Sequence, residues 1–216
     1  MFDTTIWVEV DDYLSHVEKL IALSIKRLRL TDDEKELILR ADLDEIEKRG
    51  VDALMRYEQC YPILKTYPGL LRRAAFVFVM TFLETQLEEL CDLVQSADHT
   101  TFSVRDLAKQ GTDRVALFLE RVRGINIKEY RGWQEIDKFR VIRNVFVHSN
   151  GGITVSPQQQ HRAKDIARKM SSYVQLNADD DRAVLIALPT LAPYAAKIAR
   201  DFLEQVSHQA GPRSSA

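Results

Sequence analysis

Cysteine, glycine and proline are scarce in this chain of 216 residues, which holds two cysteines, eight glycines and six prolines. So little glycine and proline is typical of a helix-rich globular protein. Cys60 and Cys91 are too far apart for a metal-binding spacing, so we expect buried free thiols in a reducing compartment. The five histidines are scattered and form no metal-binding motif, and the chain contains no glycine-rich phosphate loop. We therefore expect neither a metal nor another cofactor.

A long hydrophobic run and an excess of basic charge are also missing. The longest apolar run, 74–83, is far shorter than the roughly 20 residues that cross a bilayer. Met1 is followed by acidic and mixed residues and not by a signal peptide. We expect a soluble, cytoplasmic protein with no membrane partner. The net charge of −2 gives no overall basic field for long nucleic acids, so any such contact must be local or lie where two subunits meet.

Apolar residues recur at helical spacing along most of the chain. This pattern predicts helices over the ranges 11–30, 31–57, 70–94, 103–109, 113–122, 133–148, 158–170 and from Pro189 or Pro193 to 206. Thr31 and Glu34 have the spacing of a capping box at the start of the second helix. Pro62 and Pro68 predict that a connection separates the second helix from the third.

Two short segments near the C-terminus, 173–176 and 183–188, flank an acidic turn and predict a β-hairpin. The expected fold is therefore mainly α: a helical bundle with extra N-terminal helices and a small C-terminal β-hairpin. The chain has no internal repeat and no long linker. We expect a single domain over 1–210, followed by a flexible tail over 211–216.

The helix predicted over 133–148 carries an arginine inside its apolar face. At about 100° per residue, one broad face holds Ile136, Phe139, Ile142 and Phe146, and Arg143 falls within the same arc. A guanidinium in that position needs a carboxylate, a phosphate or a partner surface, because an unpaired buried charge is costly. The expected partner is Glu84, the first carboxylate after the apolar run of the central helix.

Arg140, Asn144 and His148 form a row along the edge of that face, one helical turn apart. Arginine binds phosphate through paired hydrogen bonds, and histidine exchanges a proton near neutral pH. The negative end of the helix dipole favours a protonated imidazole in the last turn, and the glycines at 151 and 152 are expected to end the helix. The alternative to a catalytic role is a structural one. In that case the segment from Asn144 to His148 forms a C-terminal cap with a surface histidine, and Arg140 is an ordinary solvated charge.

The segment Trp133–Gly151 resembles the HEPN superfamily, whose helical domains carry an arginine and a histidine separated by four to six residues at the end of one helix. Arg143, Asn144 and His148 match that signature. The segment 82–87 is similar to an earlier helix of the family, in which an acidic residue follows an apolar run, here Glu84. The resemblance covers roughly 70–152, which would be the core of a HEPN-like domain.

This resemblance implies a metal-independent endoribonuclease that acts on RNA as a homodimer, with the two motifs facing one cleft. It also implies a bacterial toxin or anti-phage role, with an antitoxin or a protein of a defence complex as partner. In this mechanism His148 serves as general base or acid, Arg143 holds the phosphate, Asn144 orients either group, and Arg140 is a secondary phosphate contact.

Two other interpretations stay open. Some HEPN proteins lack activity, so the chain is alternatively a non-catalytic dimerisation or binding module of a defence or regulatory complex. The third interpretation is DNA binding through a basic stripe on the helix predicted over 158–170, although such a stripe is more often a solvated face. The stripe consists of Arg162, Lys164, Arg168 and Lys169.

Overall fold

The computed structural model describes residues 6–148, 157–179 and 182–211. It is mainly α-helical, with a two-stranded antiparallel hairpin near the C-terminus, which confirms the predicted fold class. In chain order, its elements are α1 (Ile6–Arg27), α2 (Asp32–Arg40), α3 (Leu43–Lys48), α4 (Val51–Tyr61), α5 (Tyr67–Asp98), α6 (Gly111–Arg123), α7 (Trp133–His148), α8 (Pro157–Lys169), β1 (Val174–Asp179), β2 (Arg182–Ala187) and α9 (Leu191–Ala210).

Helix α5 lies at the centre of the bundle and packs against α1, α6, α7 and α9. It is apolar nearly all round in its first half, which is the pattern of a helix that has neighbours on most sides. Phe76 is fully buried, and the rings of Phe139 and Phe146 from α7 meet it edge to face at 5.8 Å each. These aromatic contacts fix α7 against α5.

Both ends of the chain contribute to the main hydrophobic core. Helix α1 buries an inner face that begins at Trp7, whose ring meets Phe82 of α5 at 5.0 Å. Helix α9 buries a long stripe of small and aromatic residues, including Phe202, against α5 and α7. The core therefore includes segments outside the 70–152 region to which the sequence resemblance was limited.

The predicted single helix over 31–57 is wrong, because the segment forms α2, α3 and α4. The capping box is confirmed: the backbone N–H of Glu34 donates to Oγ1 of Thr31, and the backbone N–H of Thr31 donates to Oε2 of Glu34. The helix then stops at Ala41, which adopts a left-handed conformation with φ +54°. Gly50, at φ +97°, makes the second break.

The predicted connection at Pro62 and Pro68 is also wrong, because the chain stays helical there. A π-helical segment, Pro62–Thr66, joins α4 directly to α5. Pro68 lies in the first turn of α5, directly after the π-helical segment. Proline at such a position therefore does not mark the end of a helix.

The C-terminal hairpin is confirmed, and β1 pairs with β2 from Val174↔Ala187 to Asp179↔Arg182. Its buried residues, Val174, Leu185 and Ala187, join the main core. Of the two short helices predicted over 103–109 and 113–122, the first is only a 3₁₀ turn at Val104–Asp106 and the second is α6. None of the helices over the described residues is long and apolar enough to cross a membrane.

Candidate functional site

Helix α7 has the predicted bounds and the predicted inner face. The side chains of Ile136, Phe139 and Ile142 are fully buried in the core. The residues of the candidate site lie within this face, at Arg143, and along its edge. Among these, Arg140 and Arg143 are partly buried, and Asn144 and His148 are exposed. Arg140, Asn144 and His148 therefore form one row along the solvent side of a packed helix, whereas Arg143 lies about 100° around the helix from Asn144, inside the apolar arc.

The contact expected between Glu84 and Arg143 is present. Nη2 of Arg143 lies 3.4 Å from Oε2 of Glu84, and their side chains are 28% and 18% exposed. This is a single long contact. By comparison, Arg72, at another position on α5, donates two 2.8 Å hydrogen bonds to Glu18 of α1. Nε of Arg143 is buried and makes no hydrogen bond with any described residue. Arg143 thus retains unused donors after pairing with Glu84.

Glu84 is enclosed by the start of α6 as well as by α7. A methyl group added at Gly111 would lie 2.9 Å from Oε1 of Glu84, and Gly111 has a φ of +53°. Burial raises the pKa of Glu84, although the nearby guanidinium groups of Arg143 and Arg140 oppose that shift. The carboxylate therefore pairs with α7 and lies against the backbone of α6 at Gly111.

Arg140 is not an isolated surface charge. Its Nη2 donates to Oδ2 of Asp113 at 2.7 Å, and its Nη1 lies 3.8 Å from Oδ1 of Asp137. Lys128 also approaches Asp113, at 3.6 Å. Burial alone would raise the pKa of Asp113, but the hydrogen bond and charge of Arg140, together with Lys128, lower it.

His148 is the last residue of α7 and is exposed to solvent. Its imidazole is therefore not sealed inside the subunit. The glycines predicted to end the helix, at 151 and 152, lie outside the described residues.

The only cysteines of the chain, Cys60 and Cys91, are free and buried as expected. Burial raises the pKa of the Cys91 thiol to about 12, so it provides no thiolate near neutral pH.

Sequence reasoning missed three residues that shape this site: Asp113, Asp137 and Gly111. Asp137 precedes Arg140 by three positions, so helical spacing alone was enough to predict an ion pair between them. Asp113 and Gly111 come from the start of α6, across a turn whose course the sequence does not reveal. Their roles became visible only once α6 was seen to pack against α5.

The charges of the site are balanced within the chain. Arg143 faces Glu84, and Arg140 faces both Asp113 and Asp137. An incoming phosphate must therefore share these guanidinium groups with carboxylates that already lie nearby. Arginine has five N–H donors, so it is able to contact a carboxylate and a phosphate at the same time.

Glu84 and Asp113 are expected to give opposite pH dependences of stability. The pKa of Glu84 is raised above its ordinary value of 4.5, so its favourable contribution is complete below pH 4.5 and is lost as the pH rises through the folded-state pKa. The pKa of Asp113 is lowered below 3.8, so its contribution is present above pH 3.8 and is lost as the pH falls through the folded-state pKa.

Urea unfolding of the wild type, Glu84→Gln and Asp113→Asn at a series of pH values measures both effects. The stability of the wild type relative to Glu84→Gln should fall as the pH rises above 4.5. Its stability relative to Asp113→Asn should fall as the pH drops below 3.8. Two differences that change with pH in the same direction would contradict this description of the site.

Comparison of the chain with protein-family models, with curated proteins and with solved structures gave no match. Within the described ranges, the structure contains no group of three or more His, Cys, Asp or Glu side chains arranged to hold a metal ion. The fold and the site thus define a mainly α-helical bundle in which one packed helix carries Arg140, Asn144 and His148 in a row along its length and Arg143 within its apolar arc.

Proposed function

We propose that this protein is a HEPN-like, metal-independent endoribonuclease that acts as a dimer in a bacterial toxin or anti-phage role. The observation that supports this proposal most strongly is the state of Arg143. Its side chain is 28% exposed, makes a single long contact with Glu84 and retains unused donors, and it precedes exposed Asn144 and His148 on α7 by one and five residues.

In the proposed reaction, His148 removes the proton from an RNA 2′-hydroxyl, and the 2′-oxygen attacks the adjacent phosphorus. The bond from phosphorus to the 5′-oxygen breaks, and that oxygen takes a proton from a second imidazole, His148 of the other subunit. The products are a 2′,3′-cyclic phosphate and a free 5′-hydroxyl. Arg143 stabilises the charge that develops on the phosphate, and Asn144 orients the imidazole or the phosphate.

Arg140 contributes a secondary contact to the same phosphate backbone. Its guanidinium is held by Asp113 and Asp137, so its position is fixed before the substrate binds. Fixed donors of this kind lose little conformational freedom on binding, which favours recognition of one backbone geometry.

Incubation of the purified full chain with total RNA in EDTA, beside His148→Ala, tests this proposal. The wild type should fragment the RNA without added metal, and His148→Ala should leave it intact. If both proteins cut equally fast, the activity does not come from this site. If neither cuts, the ribonuclease proposal is wrong.

An uncharged stripe on the exposed side of α5 supports a homodimer next to this site. Its five residues recur at helical spacing, and Leu71 and Phe78 are 42% and 43% exposed. Leu71, Ala74, Phe78, Thr81 and Thr85 form this α5 stripe. Exposed apolar side chains that share one face favour association, and the stripe ends beside Glu84.

Charge on the α5 stripe is expected to convert the dimer to a monomer. Phe78→Glu and Thr81→Arg each place a charge where the partner would desolvate it, which is unfavourable. Val51→Glu on α4 is the control, because Val51 is also exposed but lies away from the stripe. Light scattering of the eluting protein gives the mass directly. A wild-type protein that is monomeric, or stripe variants that stay dimeric, would contradict this interface.

The second candidate function is a non-catalytic HEPN-like binding module, and the balanced charges of the site favour it. On this alternative, Glu84 and Arg143 join two helices, and His148 is a surface residue at a helix end. Overexpression in bacteria separates the two functions. An unrestrained ribonuclease should stop growth in a manner that depends on His148, whereas a binding module should have little effect or an effect that His148→Ala retains.

A further inference from the structure

Helix α8 turns a strongly basic face away from the core. Ala163, Ile166, Ala167 and Met170 are buried. The opposite side is exposed at Arg162, Arg168 and Lys169. The segment 157–170 holds four basic residues and one acidic residue, although the whole chain carries a net charge of −2. Positive charge is therefore concentrated on this helix.

Helix α8 packs against α7. One carboxylate of α7, Asp137, contacts an arginine from each of the two helices. Nη2 of Arg162 donates to Oδ2 of Asp137 at 2.6 Å, and Nη1 of Arg140 lies 3.8 Å from Oδ1 of the same residue. Asp137 thus links the basic face of α8 to the row of residues that leads along α7 to His148.

We propose that Arg162, Arg168 and Lys169 of α8 bind the backbone phosphates of the RNA strand whose scissile phosphate lies beside His148. The inference rests on the proposed function for the position of that scissile phosphate. Asp137 precedes His148 by eleven residues, which corresponds to about 16 Å along α7. At ~3.4 Å or more per nucleotide, a strand of at most about five nucleotides spans that distance.

The chemistry of the α8 face favours a polyanion over a folded protein partner. The exposed side chains that define the face are charged, and none is aromatic or apolar. Protein interfaces are usually centred on buried aromatic or apolar side chains, whereas phosphate backbones are bound mainly by arginine and lysine. Because long flexible cations contact phosphates without reading bases, binding here should be strong in low salt and tolerant of sequence.

The test uses the full chain with His148→Ala, which prevents cleavage, and a single-stranded RNA oligonucleotide of mixed sequence. In that background, Arg162→Gln, Arg168→Gln and Lys169→Gln are combined. The matched control combines Arg40→Gln, Lys48→Gln and Arg49→Gln on α2 and its neighbours. Both sets remove two arginines and one lysine from exposed positions, and in both sets two of the three cations pair with a carboxylate. Fluorescence anisotropy measures affinity over a range of salt concentrations.

The α8 set should lower the slope of log affinity against log salt by ~2, since each phosphate contact contributes ~0.7 on a single strand. That change corresponds to a loss of affinity of about 100-fold in 0.1 M salt. The control set should alter both quantities much less. In the cleavage-competent protein, the α8 set should raise KM and leave kcat nearly unchanged, because the contacts are equal in the ground state and the transition state.

Equal losses for the two sets, or no loss for the α8 set, would overturn the inference. Tighter binding of duplex DNA than of single-stranded RNA would overturn it in favour of a DNA-binding face, and absence of any RNA binding would also overturn it. If the parent binds RNA through α8 but the wild type never cuts RNA, the inference stands as an RNA-binding surface and the ribonuclease proposal fails.

Discussion

His148→Ala is expected to slow RNA cleavage by at least about 100-fold, because a positioned general acid or base contributes roughly 10²- to 10⁴-fold to such reactions. The side chain is exposed at the end of α7, so its removal should not disturb the core. Single-turnover cleavage of a labelled RNA measures the chemical step. Thermal unfolding of the variant should match that of the wild type, which would separate lost chemistry from lost structure.

His208→Ala is the matched control for this prediction. His208 is also an exposed histidine in the last turn of a helix, here α9. A general effect of losing a surface imidazole near a helix C-terminus would appear in both variants. Loss of activity in both, or in neither, would show that His148 has no special role in the reaction.

Gly111→Ala is expected to be the most damaging single methyl addition at the candidate site. The added methyl would lie 2.9 Å from Oε1 of Glu84, and this carboxylate is held between α5, α6 and α7. Gly124→Ala is the control, because Gly124 is also left-handed, at φ +69°, but has open space at its Cβ position. Both changes carry the cost of placing alanine in a left-handed conformation, ~1 kcal/mol.

The additional cost at Gly111 arises from moving Glu84 away from Arg143. We expect Gly111→Ala to lower the free energy of unfolding by up to about 1 kcal/mol more than Gly124→Ala, because the flexible Glu84 side chain must move and its single partly exposed ion pair with Arg143 is weakened. RNA cleavage by Gly111→Ala should also fall, since Arg143 loses its support, whereas Gly124→Ala should keep full activity. Equal destabilisation by the two changes would show that Glu84 moves aside without cost.

The bounds of α7 and its inner face could be predicted because the helical period alone determines them. Ile136, Phe139 and Ile142 recur at that period, so an apolar stripe specifies which side faces the core. The pair of Glu84 and Arg143 was predictable for a related reason. A cation inside an apolar arc requires a counter-charge, and few carboxylates border the apolar part of the central helix.

The division of 31–57 into α2, α3 and α4 could not be predicted, because the first break depends on Ala41. Alanine is the best helix former, so its left-handed conformation here, at φ +54°, runs against its local propensity. Conversely, Pro62 and Pro68 suggested a break that the structure avoids with a π-helical segment and a proline in the first turn of α5. Tertiary context overrode local propensity in both cases.

The neutralisation of Arg140 was the part of the site least accessible to sequence reasoning. Its principal partner, Asp113, lies 27 residues earlier and reaches Arg140 only because α6 packs on α5 beside α7. Contacts of this kind depend on the angle between helices, which periodicity does not encode. They also determine how much of the positive charge of Arg140 is left unpaired.

The most direct test of the central claim is cleavage, by the wild-type chain in excess EDTA, of one RNA oligonucleotide beside its fully 2′-deoxy counterpart. The proposed reaction requires the 2′-hydroxyl as nucleophile at a site formed by Arg143 and His148. The RNA should be cut to fragments that end in a 2′,3′-cyclic phosphate, and the deoxy strand should stay intact. An uncut RNA, or equal cutting of both strands, would contradict the account.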